Sequence, residues 1–225
     1  MPVMKRMLVT IVTTLLAVLL VPAVASATLS EVGGSPTAQG KPSCPTNPCL
    51  AVSRTTGYQV QAGRTKNPYL VPRRGAIVAF TVALGKPSAR QISFFNTNLG
   101  GPATARITVL RAFARRGNNF RFVVRSQSEV VNLQPYFGQT AQFALSKSIG
   151  AFKNDLIALT VPTWAPVLAL GLDNATTWRA SRPKPCADNE AFQQFALQRV
   201  GQMAQFACEY KTARMTYSAT LISTP

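Results

Sequence analysis

The chain contains no histidine in its 225 residues. That absence removes Ser-His-Asp and Cys-His nucleophilic sites, histidine-ligated zinc and a histidine pH switch. Acidic residues are scarce too: seven Asp and Glu stand against 24 Lys and Arg, for a formal net charge of +17 at pH 7. The only acidic clusters are Asp173-Asn174 and Asp188-Asn189-Glu190. Two ordinary turns account for them as readily as calcium ligands or a glycosidase-type carboxylate pair would. No catalytic motif, cofactor motif or metal-ligand set stands out, so catalysis is not expected, and no cofactor or metal is assigned. After residue 27 no apolar run reaches the roughly 20 residues that cross a bilayer as a helix.

The first 27 residues read as a secretory signal peptide. Lys5 and Arg6 supply a positive start, Leu8–Leu20 an apolar run of about 13 residues, and Ala25-Ser26-Ala27 a small-residue cleavage site. Export sets a redox expectation for the four cysteines, all of which lie after the leader: Cys44, Cys49, Cys186 and Cys208. An even number in an exported chain favours disulfides. Four cysteines allow three pairings. Nearest-neighbour pairing, Cys44 with Cys49 and Cys186 with Cys208, is preferred because Pro45-Thr46-Asn47-Pro48 turns readily and the second pair brackets one continuous segment. A zinc site made of all four is the alternative; only the first pair has the usual ligand spacing.

Residues 28–43, rich in Gly, Ser, Thr, Ala and Pro, read as a flexible lead-in, and 44–225 as a single domain. Period-two alternation dominates that domain. Val78, Phe80, Val82 and Leu84 share a face, as do Ile107 and Val109, then Phe120, Phe122 and Val124, then Ala141, Phe143 and Leu145. Ile157, Leu159 and Val161 follow, and Met215, Tyr217, Ala219 and Leu221 close the chain. Turn residues such as Gly85-Lys86-Pro87-Ser88 and Gly117-Asn118-Asn119 separate these runs. The pattern predicts an all-β fold, an antiparallel two-sheet sandwich or jelly roll. The segment 187–207 is the exception. Phe192, Phe195, Val200, Met203 and Phe206 fit a helical stripe, while Gln193-Gln194 and Gly201-Gln202 fit a disulfide-bounded hairpin, so both a short helix and a loop remain open there.

Several segments carry a resemblance. They are Cys44–Cys49 followed by Val52-Ser-Arg-Thr-Thr-Gly57-Tyr58-Gln59, Gly75-Ala-Ile-Val78, Asn154–Leu159, Cys208-Glu-Tyr210 and Tyr217-Ser-Ala-Thr-Leu221. Together the chain resembles a group of uncharacterised exported proteins of high-GC Gram-positive bacteria. The resemblance implies a β-sandwich and export. It implies no activity and no catalytic residues.

Cleavage after Ala27 would leave 22 Lys and Arg against seven acids, a net of +15. Between Glu31 and Glu129 lie 14 Lys and Arg and no acid. Such a field concentrates polyanions near the surface, although it also serves solubility alone. The densest group is Arg111, Arg115, Arg116, Arg121 and Arg125. In a hairpin Arg115 and Arg116 sit at the tip, and Arg121 and Arg125 point away from the phenylalanine face. Their planar forks suit carboxylates, sulfates and phosphates. Tyr136, in Pro135-Tyr136-Phe137-Gly138, Trp164, in Pro162-Thr163-Trp164-Ala165-Pro166, and Trp178 are candidate stacking platforms for a sugar, on the expectation that the first two occupy exposed loops. Asp155, just ahead of a strand, reads as a turn-stabilising side chain. The expected function is an exported binding module contacting anionic or carbohydrate polymer at the cell surface, with no specific nucleic acid partner. An envelope protein with a structural or protein-interaction role is the alternative, and a polysaccharide lyase, whose proton chemistry Tyr, Lys and Arg can serve, ranks third.

Overall fold

The computed structural model describes residues 27–114, 120–182, 184, 186 and 196–223. Residues 1–26 of the proposed leader, Arg115, Arg116 and residues 187–195 lie outside them. The strands, in chain order, are β1 (Thr28–Val32), β2 (Val52–Ala62), β3 (Thr65–Lys66), β4 (Gly75–Ala83), β5 (Thr104–Ala114), β6 (Arg121–Gln127), β7 (Val131–Asn132) and β8 (Thr140–Ala151). There follow β9 (Leu156–Ala165), β10 (Leu168–Leu170), β11 (Thr177–Ala180), β12 (Met203–Gln205), β13 (Cys208–Lys211), β14 (Ala213–Met215) and β15 (Tyr217–Ser223). One α-helix, α1 (Ala89–Asn98), and two 3-10 turns, Pro36–Gln39 and Gln134–Tyr136, complete the described elements.

Two antiparallel sheets form the all-β sandwich. The smaller runs β1-β15-β4-β8; the larger runs β12-β6-β5-β9-β2-β11-β13, with β7 on β5 and β3 on β2, and curls into a half-barrel. A separate ladder pairs β10 with β14. Ile107, Val109, Ile157 and Leu159 of the larger sheet and Ile77, Phe80, Val82, Tyr217, Ala219 and Leu221 of the smaller one belong to one buried cluster. Tyr217 donates its hydroxyl across the interface to the carbonyl of Ile157 at 3.0 Å. Its ring stacks on Tyr69 with centroids 4.3 Å apart. β9 lies near the middle of the larger sheet and is buried on both faces from Leu156 to Val161. In β4 a register shift between Ile77 and Ala79 turns Val78 outward, so Ile77 and then Phe80 and Val82 face the core.

Both expected disulfides are present, Cys44–Cys49 and Cys186–Cys208. Three local expectations are corrected. Residues 28–43 are not a flexible lead-in: β1 pairs with β15 from Thr28 opposite Ser223 to Val32 opposite Ala219. Gln39 is buried and donates to the carbonyls of Gly33 and Tyr217. Gly33 (φ 97°) is required there, because a Cβ would come within 2.2 Å of the Tyr69 ring. The folded unit therefore includes Thr28–Val32 and Gln39 ahead of Cys44.

The helix is the second correction. It occurs at Ala89–Asn98, outside the segment 187–207, the one place where a helix was weighed. Ser88 caps it, accepting from the Gln91 N–H at 3.3 Å, while the Gln91 side chain accepts from the Ser88 N–H at 2.8 Å. Ile92, Phe95 and Leu99 pack against the core. In the segment near the C-terminus, residues 196–207 contain no helix: Met203–Gln205 pairs with β6, Val200 and Met203 are exposed and Phe206 is buried.

The third correction is Trp164. Pro162 looks like a loop marker, yet it lies inside β9. It sits where the β2–β9 register shifts between Ser53 and Thr55 around Arg54 (φ 42°), so its missing N–H costs no regular ladder bond.

Candidate functional site

Arg111 lies on β5, and the turn 152–155 before β9 comes to meet it. Arg111 donates from Nε to Oδ1 of Asp155 at 2.7 Å and from Nη2 to Oδ2 at 2.9 Å. Oδ2 also accepts from the Phe152 N–H at 2.9 Å, which closes the turn as the sequence led us to expect. The Asp155 side chain is 2% exposed and that of Arg111 36% exposed. This fork holds the Arg111 guanidinium firmly in its charged form, raising its pKa. Arg111 is thus committed to an internal carboxylate rather than standing free, which corrects its reading as an open polyanion contact.

The same fork builds something the sequence did not suggest. Phe152 is 45% exposed, and two guanidiniums rest over its ring, Arg111 at 4.9 Å and Arg74 at 5.0 Å. Arg73, Arg74 and Lys153 are exposed beside it. Arg125 arrives from the neighbouring strand: it occupies the irregularity between Val124, opposite Leu110, and Ser126, opposite Val109. The Ser126 hydroxyl donates to the carbonyl of Gly150 at 3.0 Å, tying β6 to the end of β8 that leads into Phe152. Arg73, Arg74, Arg111 and Lys153 therefore share one corner of the sandwich, with Arg125 on the adjoining strand, and its one carboxylate, Asp155, is fully engaged. Among the described residues there are two ion pairs, Arg111–Asp155 and Arg179–Glu209. No exposed cation of this corner other than Arg111 has a carboxylate partner among them.

The remaining nominated residues are scattered. Arg121 is exposed at the start of β6, at the rim of a cavity on the curled sheet. Trp164 is fully buried: its indole N–H donates to Oδ1 of Asn96 and to the carbonyl of Gly101, both at 3.0 Å, under the rings of Phe95 and Phe137. Trp178 is 5% exposed on β11 and stacks on Tyr210 with centroids 4.5 Å apart. Neither tryptophan offers a free face to a sugar. Tyr136 is 39% exposed and packs edge-on against Phe143. Phe143 and Phe152 are nine residues apart along and just past β8, roughly 30 Å of strand, so Tyr136 is no part of the cationic corner. The signals that could have found the corner were the Arg73-Arg74 dipeptide and an aromatic, Phe152, inside a polar turn.

No family model, curated protein or solved structure matches the chain. Among the described residues no helix is long and apolar enough to cross a membrane, and no group of three His, Cys, Asp or Glu could hold a metal ion.

Proposed function

We propose that the protein is an exported, non-catalytic module that binds anionic polymer at the cell surface through the corner around Phe152. The observation that carries this reading is the pairing of a dense cation set with a single carboxylate already satisfied internally. Arg73, Arg74, Arg125 and Lys153 are left to interact outward, and Phe152 holds Arg74 in place. Guanidinium groups so arranged suit sulfate, phosphate or carboxylate on a polymer. The burial of Trp164 and Trp178 argues against stacking on neutral sugar, so the anionic character of the ligand dominates. The two disulfides are compatible with the oxidising compartment that export implies. Removal of the leader would be seen as secreted protein whose intact mass begins at Thr28.

Retention on immobilised heparin tests the reading. The mature chain is expected to bind at low salt and to elute as salt rises, because exposed charges are screened within about 8 Å at physiological ionic strength. Replacing Arg73, Arg74 and Arg125 together by Ser removes most of that retention and leaves the melting temperature nearly unchanged. A parallel variant, Arg115→Ser with Arg116→Ser, separates this corner from the two arginines that lie outside the described residues. Equal retention by the wild type and the triple variant would overturn the assignment.

A further inference from the structure

The concave face of the half-barrel holds a cavity that the polymer reading does not use. It has a volume of about 340 Å³ and is lined by Tyr58, Val60, Leu70, Phe120, Phe122 and Leu156, with Ala112 at its edge and Asn67, Asn154 and Arg121 at its rim. Its wall is rigid. Tyr58 and Phe122 meet edge-to-face with centroids 5.4 Å apart. The face of Phe120 is covered by the Arg179 guanidinium at 3.8 Å, and Arg179 is itself paired with Glu209 and hydrogen-bonded to the carbonyl of Phe206. A cavity of this size, mostly apolar and with a few convergent polar groups, has the character of a small-molecule site.

One cation and two carboxamides are the polar side chains at the rim. The Arg121 guanidinium makes no ion pair or hydrogen bond among the described residues, and neither carboxamide, of Asn67 or Asn154, has a hydrogen-bond partner among them. Both asparagines adopt left-handed backbone conformations, φ 49° and 69°, which Asn tolerates better than most residues. No acid lines the cavity, and the Asp155 carboxylate next to Asn154 is occupied by Arg111 and the Phe152 N–H. The rim therefore presents a cation and amide donors above an aromatic and aliphatic wall.

We infer that this cavity binds a small anionic amphiphile, its apolar body against Tyr58, Phe122, Leu70 and Leu156 and its carboxylate or phosphate head on Arg121. The inference does not rest on polymer binding. Calorimetric titration of the mature protein with dodecanoate, dodecanol and dodecyltrimethylammonium, each as monomer, tests it. Dodecanoate is expected to bind about tenfold more tightly than dodecanol, the margin of one charge-assisted hydrogen bond, and the cationic analogue more weakly than both. Arg121→Gln should bring dodecanoate down to the affinity of dodecanol and leave dodecanol unaffected. Ala112→Trp, at an exposed position, should block both ligands without lowering the melting temperature. The Arg73, Arg74 and Arg125 triple variant should bind dodecanoate as the wild type does. Absence of dodecanoate binding, or unchanged affinity in Arg121→Gln, would overturn the inference whatever the outcome on heparin.

Discussion

At the scale of single residues, the clearest physical consequence lies in the stacked tyrosines between the sheets. Burial raises the pKa of Tyr69, an effect opposed in part by Arg214; burial also raises Tyr217, and the neighbouring Tyr69 adds to it. In the unfolded chain both phenols ionise near pH 10. Above that pH the folded state keeps protons that the unfolded state has lost, so stability falls as pH rises. Each phenol contributes up to about 1.4 kcal/mol per pH unit to this slope. Urea unfolding between pH 8 and pH 11 should show a steep alkaline loss. Tyr69→Phe is less stable at pH 8, because the hydroxyl bond to the Tyr217 carbonyl is gone, but its alkaline slope is shallower. Parallel slopes for the two proteins would contradict the assignment. Asp155 teaches a related lesson: its role as a turn-closing acceptor was legible from Asn154-Asp155 ahead of an apolar run. Its grip on Arg111, 44 positions away, was not, because no local pattern encodes which strands become neighbours.

At the scale of elements, α1 depends on its first turn. It has no fully buried residue, so capping weighs heavily in its stability. Ser88→Ala should cost about 1 kcal/mol, seen in urea unfolding, and should fray the helix above Trp164. An unchanged midpoint would show that packing of Ile92 and Phe95 alone holds the element. The signal for this helix was present as Ser88-Ala-Arg-Gln91, a capping box, but Gly85 and Pro87 just before it read as punctuation between strands. The strands themselves were readable wherever one face is buried, as in Ile107 and Val109 of β5. Two features escaped. β1 looks like a linker because Thr28, Leu29 and Glu31 are exposed and its ladder partner among the described residues, β15, is nearly 200 positions away, Thr28 lying 195 residues from Ser223. Trp164 looks like a loop residue because Pro162 masks a strand whose irregular partner tolerates proline. In both cases a distant strand decided the outcome.

At the scale of the whole molecule, the two disulfides do different work. Cys44–Cys49 closes a tight turn, and Cys186–Cys208 ties residue 186 to the start of β13, the last strand of the larger sheet. On the chain-entropy account a loop of that size stabilises by about 3 kcal/mol. Cys186→Ser with Cys208→Ser should therefore lower unfolding stability by about 2–4 kcal/mol, and reductant, which opens both bridges, should lower the wild type by at least as much. Equal stability of the double variant and the oxidised wild type would show that strand pairing alone anchors this end. The charge is likewise a property of the whole: the acid-free interval from Glu31 to Glu129 spans strands of both sheets, and only folding gathers Arg73, Arg74 and Arg111 at one corner with Arg125 on the adjoining strand.

The order β1-β15-β4-β8 has a consequence for the timing of assembly. β15 lies between β1 and β4 and is the one ladder partner of β1 among the described residues. Neither β1 nor the flank of β4 that faces β15 is paired until residues 217–223 are in place, so the smaller sheet closes between positions as far apart as Thr28 and Ser223, 195 residues. Contacts so distant in sequence form slowly. For a protein exported as proposed here, that delay is useful: a chain translocating N-terminus first lacks its keystone and stays threadable until β15 has crossed.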